Sequence, residues 1–226
     1  MAMAIIIRLL GITSALAIVA VCQFPIPRRY DGFAFGSYGG VQEPILVEAF
    51  FDPLCPDSKD SWPAIKQVAE EYGSEVKFIV HPFALPYHQQ SFLSVRALHI
   101  ANHLNASLTY PLLDLIFEHQ EEFSNANTAD KTASTVIDEF SSLFASQFGS
   151  GNEAKSIFKQ GFYDSSTDQA GRISFKYGCS RGVTGTPVFF VNGVPLSNVD
   201  ASWGIDEWAN ILDPLLATGP GMNAFG

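Results

Sequence analysis

Charge is scarce in this chain: of its 226 residues, 16% are Asp, Glu, Lys or Arg, against roughly 25% in an average soluble protein. Positive charge is the scarcer sign, with 13 Lys and Arg against 23 Asp and Glu and a formal net charge of −10. No basic run exceeds the pair Arg28-Arg29, which excludes a surface built to neutralise nucleic-acid phosphates. Cysteine is rare too. Three copies, Cys22, Cys55 and Cys179, are too few for a disulfide scaffold. Apolar side chains, by contrast, make up 47% of the chain and include 19 Phe, ample material for a packed core, so global disorder is excluded. The length fits one elaborated domain.

Long apolar runs are confined to the first residues. Positions 1–22 carry a single charge, Arg8, followed by an apolar stretch from Leu9 to Val21. That stretch is short for a hydrocarbon core of about 30 Å, and its basic start and apolar middle fit a secretory signal peptide. The small residues Ala20 and Cys22 place cleavage before Gln23. A signal anchor is the alternative, since Ile5 to Ile7 would lengthen the run. No later run of this kind and no KDEL-like ending follow, so the expectation is a mature chain without a stable membrane anchor. It would be secreted or held in an endomembrane lumen, under oxidising conditions. Cleavage leaves two cysteines, Cys55 and Cys179.

Residues 23–44 are rich in Pro, Gly and aromatics and form an arm leading into the first core element. Ile45 to Phe51 and Val76 to Val80 are near-continuous apolar runs, as expected of strands covered on both faces. Between them Pro56 to Tyr72 has helical spacing, with Pro63 placed to bend it. Ser91–Asn105, Leu108–Glu122 and Thr128–Phe148 then read as helices, and capping boxes at Ser150/Glu153 and Ser166/Gln169 open two more. Val188 to Val191, the turn Asn192-Gly193 and Val194 to Leu196 form a hairpin. Ile205 to Leu216 is a last helix, and 217–226 a flexible tail. The expected class is α/β: one unit over 45–216 with helices inserted at about 89–163.

Two segments carry chemistry. Phe51-Asp-Pro-Leu-Cys55-Pro-Asp-Ser58 sets a cysteine between a strand and a helix start, where unpaired N–H groups and the helix dipole favour a thiolate. Pro56 suits the first helical position, where a missing N–H is harmless. Downstream, Gly182-Val-Thr-Gly185-Thr186-Pro187 leads into a strand, and its Thr-Pro pair is a candidate cis bond.

These two segments together, about 130 residues apart with helices between them, resemble the thioredoxin superfamily. The inserted helices are similar to its DsbA-like branch, and the whole resembles the secretory DsbA-like proteins of plants. The resemblance implies a thioredoxin fold with a helical insertion and thiol–disulfide exchange on cysteine-containing polypeptides. It makes Cys55 the nucleophile, Pro187 the cis-proline facing it, and Thr186 the residue whose backbone pairs with a bound peptide. Pro56 and Asp57 then border the substrate. Ser58 departs from the dithiol pattern, because it stands where the resolving cysteine belongs and cannot close an intramolecular disulfide. Asp57 also departs, since its carboxylate opposes a thiolate. A monothiol oxidoreductase or isomerase would need glutathione or a client thiol as resolving partner, and no other cofactor. A client-binding module without turnover and a kappa-type glutathione-dependent transferase are the alternatives.

Other residues take plainer readings. Cys179 could be a second, remote thiol, but a half-buried cysteine filling core space is the simpler role. His99 and His103 share a helix face yet lack a third ligand, so no metal is expected. His81 and His88 flank the Pro82–Tyr87 loop and are by default solvated there, though they would border the cleft. The Phe excess is core. Asn105-Ala-Ser107 is a glycosylation sequon.

Overall fold

The computed structural model describes residues 26–35, 44–149 and 152–217. The expected signal peptide (1–22), most of the tail and the Ser150 cap lie outside the described residues. The elements run β1 (Phe33–Phe35), β2 (Ile45–Phe51), α1 (Pro56–Tyr72), β3 (Val76–Pro82), α2 (Ser91–Leu104), α3 (Thr109–Glu118) and α4 (Asn125–Thr128), then α5 (Ala133–Phe148), α6 (Asn152–Gly161), α7 (Ser165–Ser180), β4 (Val188–Val191), β5 (Val194–Pro195) and α8 (Ile205–Ala217). Helices α2 to α6 fall between β3 and α7. Among the described residues no helix is long and apolar enough to cross a membrane.

The five strands form one mixed sheet in the order β1-β3-β2-β4-β5. β2 and β3 are parallel, with Val47 opposite Phe78, and β4 runs antiparallel to β2, with Ala49 opposite Phe189. β1 lies within the arm, where no strand was expected, and pairs antiparallel with β3. Three residues are too few to display a period of two, so the pairing is imposed by the β3 edge. At the β4–β5 turn Asn192 and Gly193 have φ of 48° and 80°, the left-handed pair that a two-residue hairpin requires. Asn192 also bonds Leu46 through its backbone N–H and its Oδ1, at 2.8 and 2.9 Å.

β2 divides the core. Val47, Ala49 and Phe51 face the cluster that holds Trp62, Ile65 and Val68 of α1 and Trp208 and Leu212 of α8. Phe50 points the other way, as alternate strand residues do, and joins Cys55, Phe83, Leu85, Val183 and Phe190 under Tyr177 of α7. Leu98, Leu112, Ile116, Phe140 and Phe158 from the inserted helices belong to the first cluster. Insertion and sheet therefore share one core.

Two helix starts differ from the sequence expectation. α7 begins at Ser165, and its N-cap is Asp164, whose side chain accepts from Ser166 N at 2.8 Å. A carboxylate two residues upstream displaces Ser166 as cap. The stretch expected as one helix from Thr128 splits, and α5 restarts at Ala133 with Thr132 capping the N–H of Thr135.

Candidate functional site

α1 starts where the sequence pattern places it. Cys55 is its N-cap, in extended conformation, with Pro56 following and Asp57 in the first turn. The approach from β2 is a tight turn: Cys55 N donates to Asp52 O at 3.0 Å, and Leu54 N donates to Asp52 Oδ1 at 2.8 Å. Asp52 is fully buried, and its other oxygen accepts from Leu85 N at 3.0 Å and lies 2.9 Å from His88 Nδ1. One carboxylate thus ties the cysteine turn to the loop after β3. The sequence marked Asp52 only as part of a turn.

Thr186 and Pro187, joined by a cis bond, come to the same place from the turn before β4. The Cys55 thiol donates to the Thr186 carbonyl oxygen, with Sγ at 3.3 Å. Cys55 is 5% exposed. Pro56 and Asp57 are exposed at the rim. Ser58 is fully buried one helical turn on, and among the described residues neither its hydroxyl nor that of Thr186 has a hydrogen-bond partner. Cys55, Pro56, Asp57, Ser58, Thr186 and Pro187 therefore converge on one spot.

Two other residues do not fall where the sequence put them. Cys179 is exposed and free, not a core filler. The inward face of α7 there is Gly178, where a Cβ would meet Phe83 at 2.4 Å, and the next residue along a helix points about 100° away. His81 is not in a loop. It is fully buried in β3, with Nδ1 at 2.8 Å from Asp31 Oδ2 and Nε2 at 3.3 Å from Glu48 Oε1, the latter in ion-pair range but outside hydrogen-bond alignment. His99 and His103 lie one turn apart on α2; His99 Nε2 is 3.0 Å from Ser174 Oγ, and His103 is exposed. Among the described residues no group of three His, Cys, Asp or Glu is placed to hold a metal ion.

His81 belongs to a polar network built around the buried Glu48. Glu48 Oε1 accepts from Tyr30 and Tyr177 at 2.7 and 2.9 Å, and Arg181 Nη2 lies 3.3 Å from its Oε2. The two tyrosine hydroxyls also meet each other. His81 beside it holds Glu48 down to about 2, against burial and with help from both hydroxyls. Burial alone would lower His81, but its bond to Asp31 and its charge contacts with Asp31 and Glu48 prevail and raise it.

Sequence reasoning also missed the residues with which the insertion grips the site. Gln120, in the turn after α3, donates through Nε2 to Pro53 O at 3.1 Å and Cys55 O at 3.0 Å. Asn125 at the start of α4 accepts from Gln89 N at 2.8 Å and donates to Tyr87 O at 2.7 Å. One corner of the insertion fixes both the cysteine turn and the facing loop. No sequence signal marks either amide, because their targets are backbone atoms of distant segments.

At the end of α2, Asn105 is exposed, and its Oδ1 accepts from Ser107 N and Ser107 Oγ at 3.0 and 2.9 Å.

A family model described as Thioredoxin matches residues 37–214. No curated protein matches the chain. Among solved structures, a candidate protein-disulfide isomerase from Pseudomonas syringae is similar with a TM-score of 0.67 at 19% identity, over 80% of this chain and 98% of that one. The α-DsbA1 protein of Wolbachia pipientis gives 0.62 at 16%, over 86% and 94%. Oxidised BdbD from Bacillus subtilis gives 0.60 at 16%, over 83% and 100%.

Proposed function

Since this chain belongs to the thioredoxin family, with a DsbA-like helical insertion in its fold, we propose that it is a monothiol thiol–disulfide exchange protein of the secretory pathway. Cysteine-containing polypeptides are its substrates. The observation that carries this reading is the 3.3 Å contact of Cys55 Sγ with the Thr186 carbonyl at the N-terminus of α1.

The chemistry balances without a resident cofactor. The Cys55 thiolate attacks one sulfur of a client disulfide, a new Sγ–S bond forms, and the client S–S bond breaks. The second client sulfur leaves as a thiolate and takes up a proton. Loss of the Cys55 proton also releases the Thr186 carbonyl, which is then an acceptor for a backbone N–H of the client. Ser58 has no thiol with which to break the mixed disulfide. Glutathione or a second client thiol attacks it instead, restoring Cys55 and carrying the disulfide away.

A second reading, a client-binding module that turns over little, draws on one observation: Cys55 is buried and its thiol bonded inward. One experiment separates the two. Purified protein is incubated with a peptide disulfide and run on a non-reducing gel, with and without glutathione. Exchange predicts an adduct that persists without glutathione, is released by it, and is missing in Cys55→Ser. Client capture without an adduct supports the binding module, and retention on immobilised glutathione independent of Cys55 supports a transferase. In the same secretory setting the exposed Asn105 is a glycan acceptor, which a mass loss on glycosidase treatment checks.

A further inference from the structure

The loop after β3 is tied to the cysteine turn. Asp52 closes that turn by accepting from Cys55 N, and its side chain accepts from Leu85 N at 3.0 Å and meets His88 Nδ1 at 2.9 Å. From the insertion, Asn125 donates to Tyr87 O at 2.7 Å and accepts from Gln89 N at 2.8 Å. Among these ties stands Tyr87, 58% exposed, its ring edge-on to that of His88 at 4.9 Å and 79°. A lone exposed aromatic is ordinary on a protein surface. Its place is what sets this one apart. Partial burial and the negative charges of the Cys55 thiolate, Asp52 and Asp57, in that order, raise its phenol, and among the described residues no cation offsets them. Tyr87 thus shares the electrostatic neighbourhood of the thiol and of Asp57. Asp57 is exposed in the first turn of α1, and among the described residues no ion pair engages it. Asp52, by contrast, is already occupied by Leu54, Leu85 and His88. Lys59, two residues beyond Asp57, lies about 200° round the helix from it.

We propose that Tyr87 and Asp57 form a subsite for a basic side chain, Arg or Lys, that flanks the reactive cysteine of a client. Resting on the exchange reading above, this names the substrate class of the site. An exposed carboxylate and an aromatic ring near it are the two groups that a guanidinium or ammonium pairs with: the ring attracts the cation to its π face, and the carboxylate accepts its N–H donors. The bonds from Asp52 and Asn125 fix the loop before the client arrives, so less ordering is lost on binding. The sign agrees with that of the whole chain, 13 basic against 23 acidic residues, so a basic segment is also steered in from a distance. An acidic segment would set its carboxylates against Asp57.

Three cysteine peptides test this, identical except for Arg, citrulline or Glu beside the cysteine, each presented as a disulfide with the same neutral leaving thiol. Citrulline keeps the shape of Arg without its charge. At low salt the Arg peptide forms the Cys55 adduct about fivefold faster than the citrulline peptide, the Glu peptide is slowest, and the spread narrows as salt rises. The readout is the Arg-to-citrulline ratio, because a change in the reactivity of Cys55 itself divides out of it. Asp57→Asn and Tyr87→Leu each shrink that ratio, and Tyr87→Phe, which keeps the ring, preserves it. Both side chains are exposed, so these variants leave the core intact. A ratio near one in wild type, or one that Asp57→Asn and Tyr87→Leu leave unchanged, overturns the proposal. Failure of the exchange reading looks different, since then no peptide forms an adduct. Cysteine-free Arg and citrulline peptides, followed by fluorescence anisotropy on Cys55→Ser protein, then decide. Tighter binding of the Arg peptide that Asp57→Asn abolishes upholds the subsite, and equal or no binding of the two refutes it.

Discussion

Cys55 Sγ and the carbonyl oxygen of Thr186 stand 3.3 Å apart across 131 positions of sequence. Two framework choices make that contact. The turn closed by Asp52 puts the sulfur at the head of α1, and the pairing of β4 with β2 brings the segment before Val188 alongside it. In the resting protein the thiol proton satisfies the Thr186 carbonyl. Neither the Ser58 nor the Thr186 hydroxyl is used. A buried hydroxyl without a partner carries a desolvation penalty of about 1–3 kcal/mol, so this pair is held by the fold around it and does not stabilise that fold.

Gln120 is expected to govern the pose of Cys55 from outside the motif. Its amide donates to Pro53 O and Cys55 O, and losing both bonds costs about 1–2 kcal/mol. Gln120→Ala should therefore lower Tm modestly and change the rate at which a small disulfide reagent traps Cys55. Gln120→Glu keeps the shape but sets a carboxylate against two carbonyls. If donation is what matters, Glu is worse than Ala in both measurements. If the residue merely fills space, Glu is the milder change, and the positioning role fails.

Acidification should unfold the protein in two stages set by His99 and Glu48. Burial pushes His99 down to about 4 against the pull of Asp31, so below the usual value of 6.5 the unfolded chain takes up a proton that the native one refuses. Stability falls from pH 6.5 towards 4. Glu48, ordinarily 4.5 and held at about 2, contributes fully above 4.5 and loses its share as pH falls towards 2, on the order of 3 kcal/mol in all. His81 has the opposite sense: its folded value is raised, so its contribution is complete below 6.5 and is lost as pH rises through the folded value. Tm should peak near pH 6.5. His99→Gln should flatten the first acid stage, and Glu48→Gln the second while lowering Tm at neutral pH, because it leaves His81 and Arg181 without their shared partner. A Tm profile that Glu48→Gln leaves unaltered below pH 4.5 would remove the network from acid stability.

Sequence patterns reach the parts of this molecule that local physics decides. β2, β3 and β4 are legible because strands covered on both faces must be apolar throughout, and α1 because its leading proline and its helical spacing agree. Cys55, Ser58, Thr186 and Pro187 are legible as two short motifs. What stays hidden depends on docking. Glu48 sits inside an apolar run and is 1% exposed, which makes sense only once Tyr30, His81, Tyr177 and Arg181, from other segments, surround it. His81 looks solvated next to prolines until β1 pairs over β3. Gln120 and Asn125 act on backbone atoms, which have no signature in sequence at all.

If the proposed monothiol reading holds, replacing Ser58 by cysteine should convert the protein into a self-resolving exchanger. Residue 58 lies one turn beyond Cys55 on α1, fully buried, with no hydrogen bond to lose. Ser→Cys is a small change of volume into a site where a thiol needs no polar partner, so the fold should tolerate it with a Tm shift of a few degrees at most. A cysteine there attacks the mixed disulfide from within the same helix turn, at an effective concentration that external thiols do not reach. Ser58→Cys should thus release a trapped peptide adduct without glutathione and oxidise to an internal disulfide between Cys55 and the introduced thiol, with turnover in an insulin-reduction assay well above wild type. Ser58→Ala should keep the trap, since it removes the hydroxyl without adding a thiol. If Ser58→Cys folds, as judged by near-UV circular dichroism, yet neither releases the adduct nor forms the internal disulfide, then the cleft around Cys55 is not arranged for exchange, and binding without chemistry becomes the better account of this site.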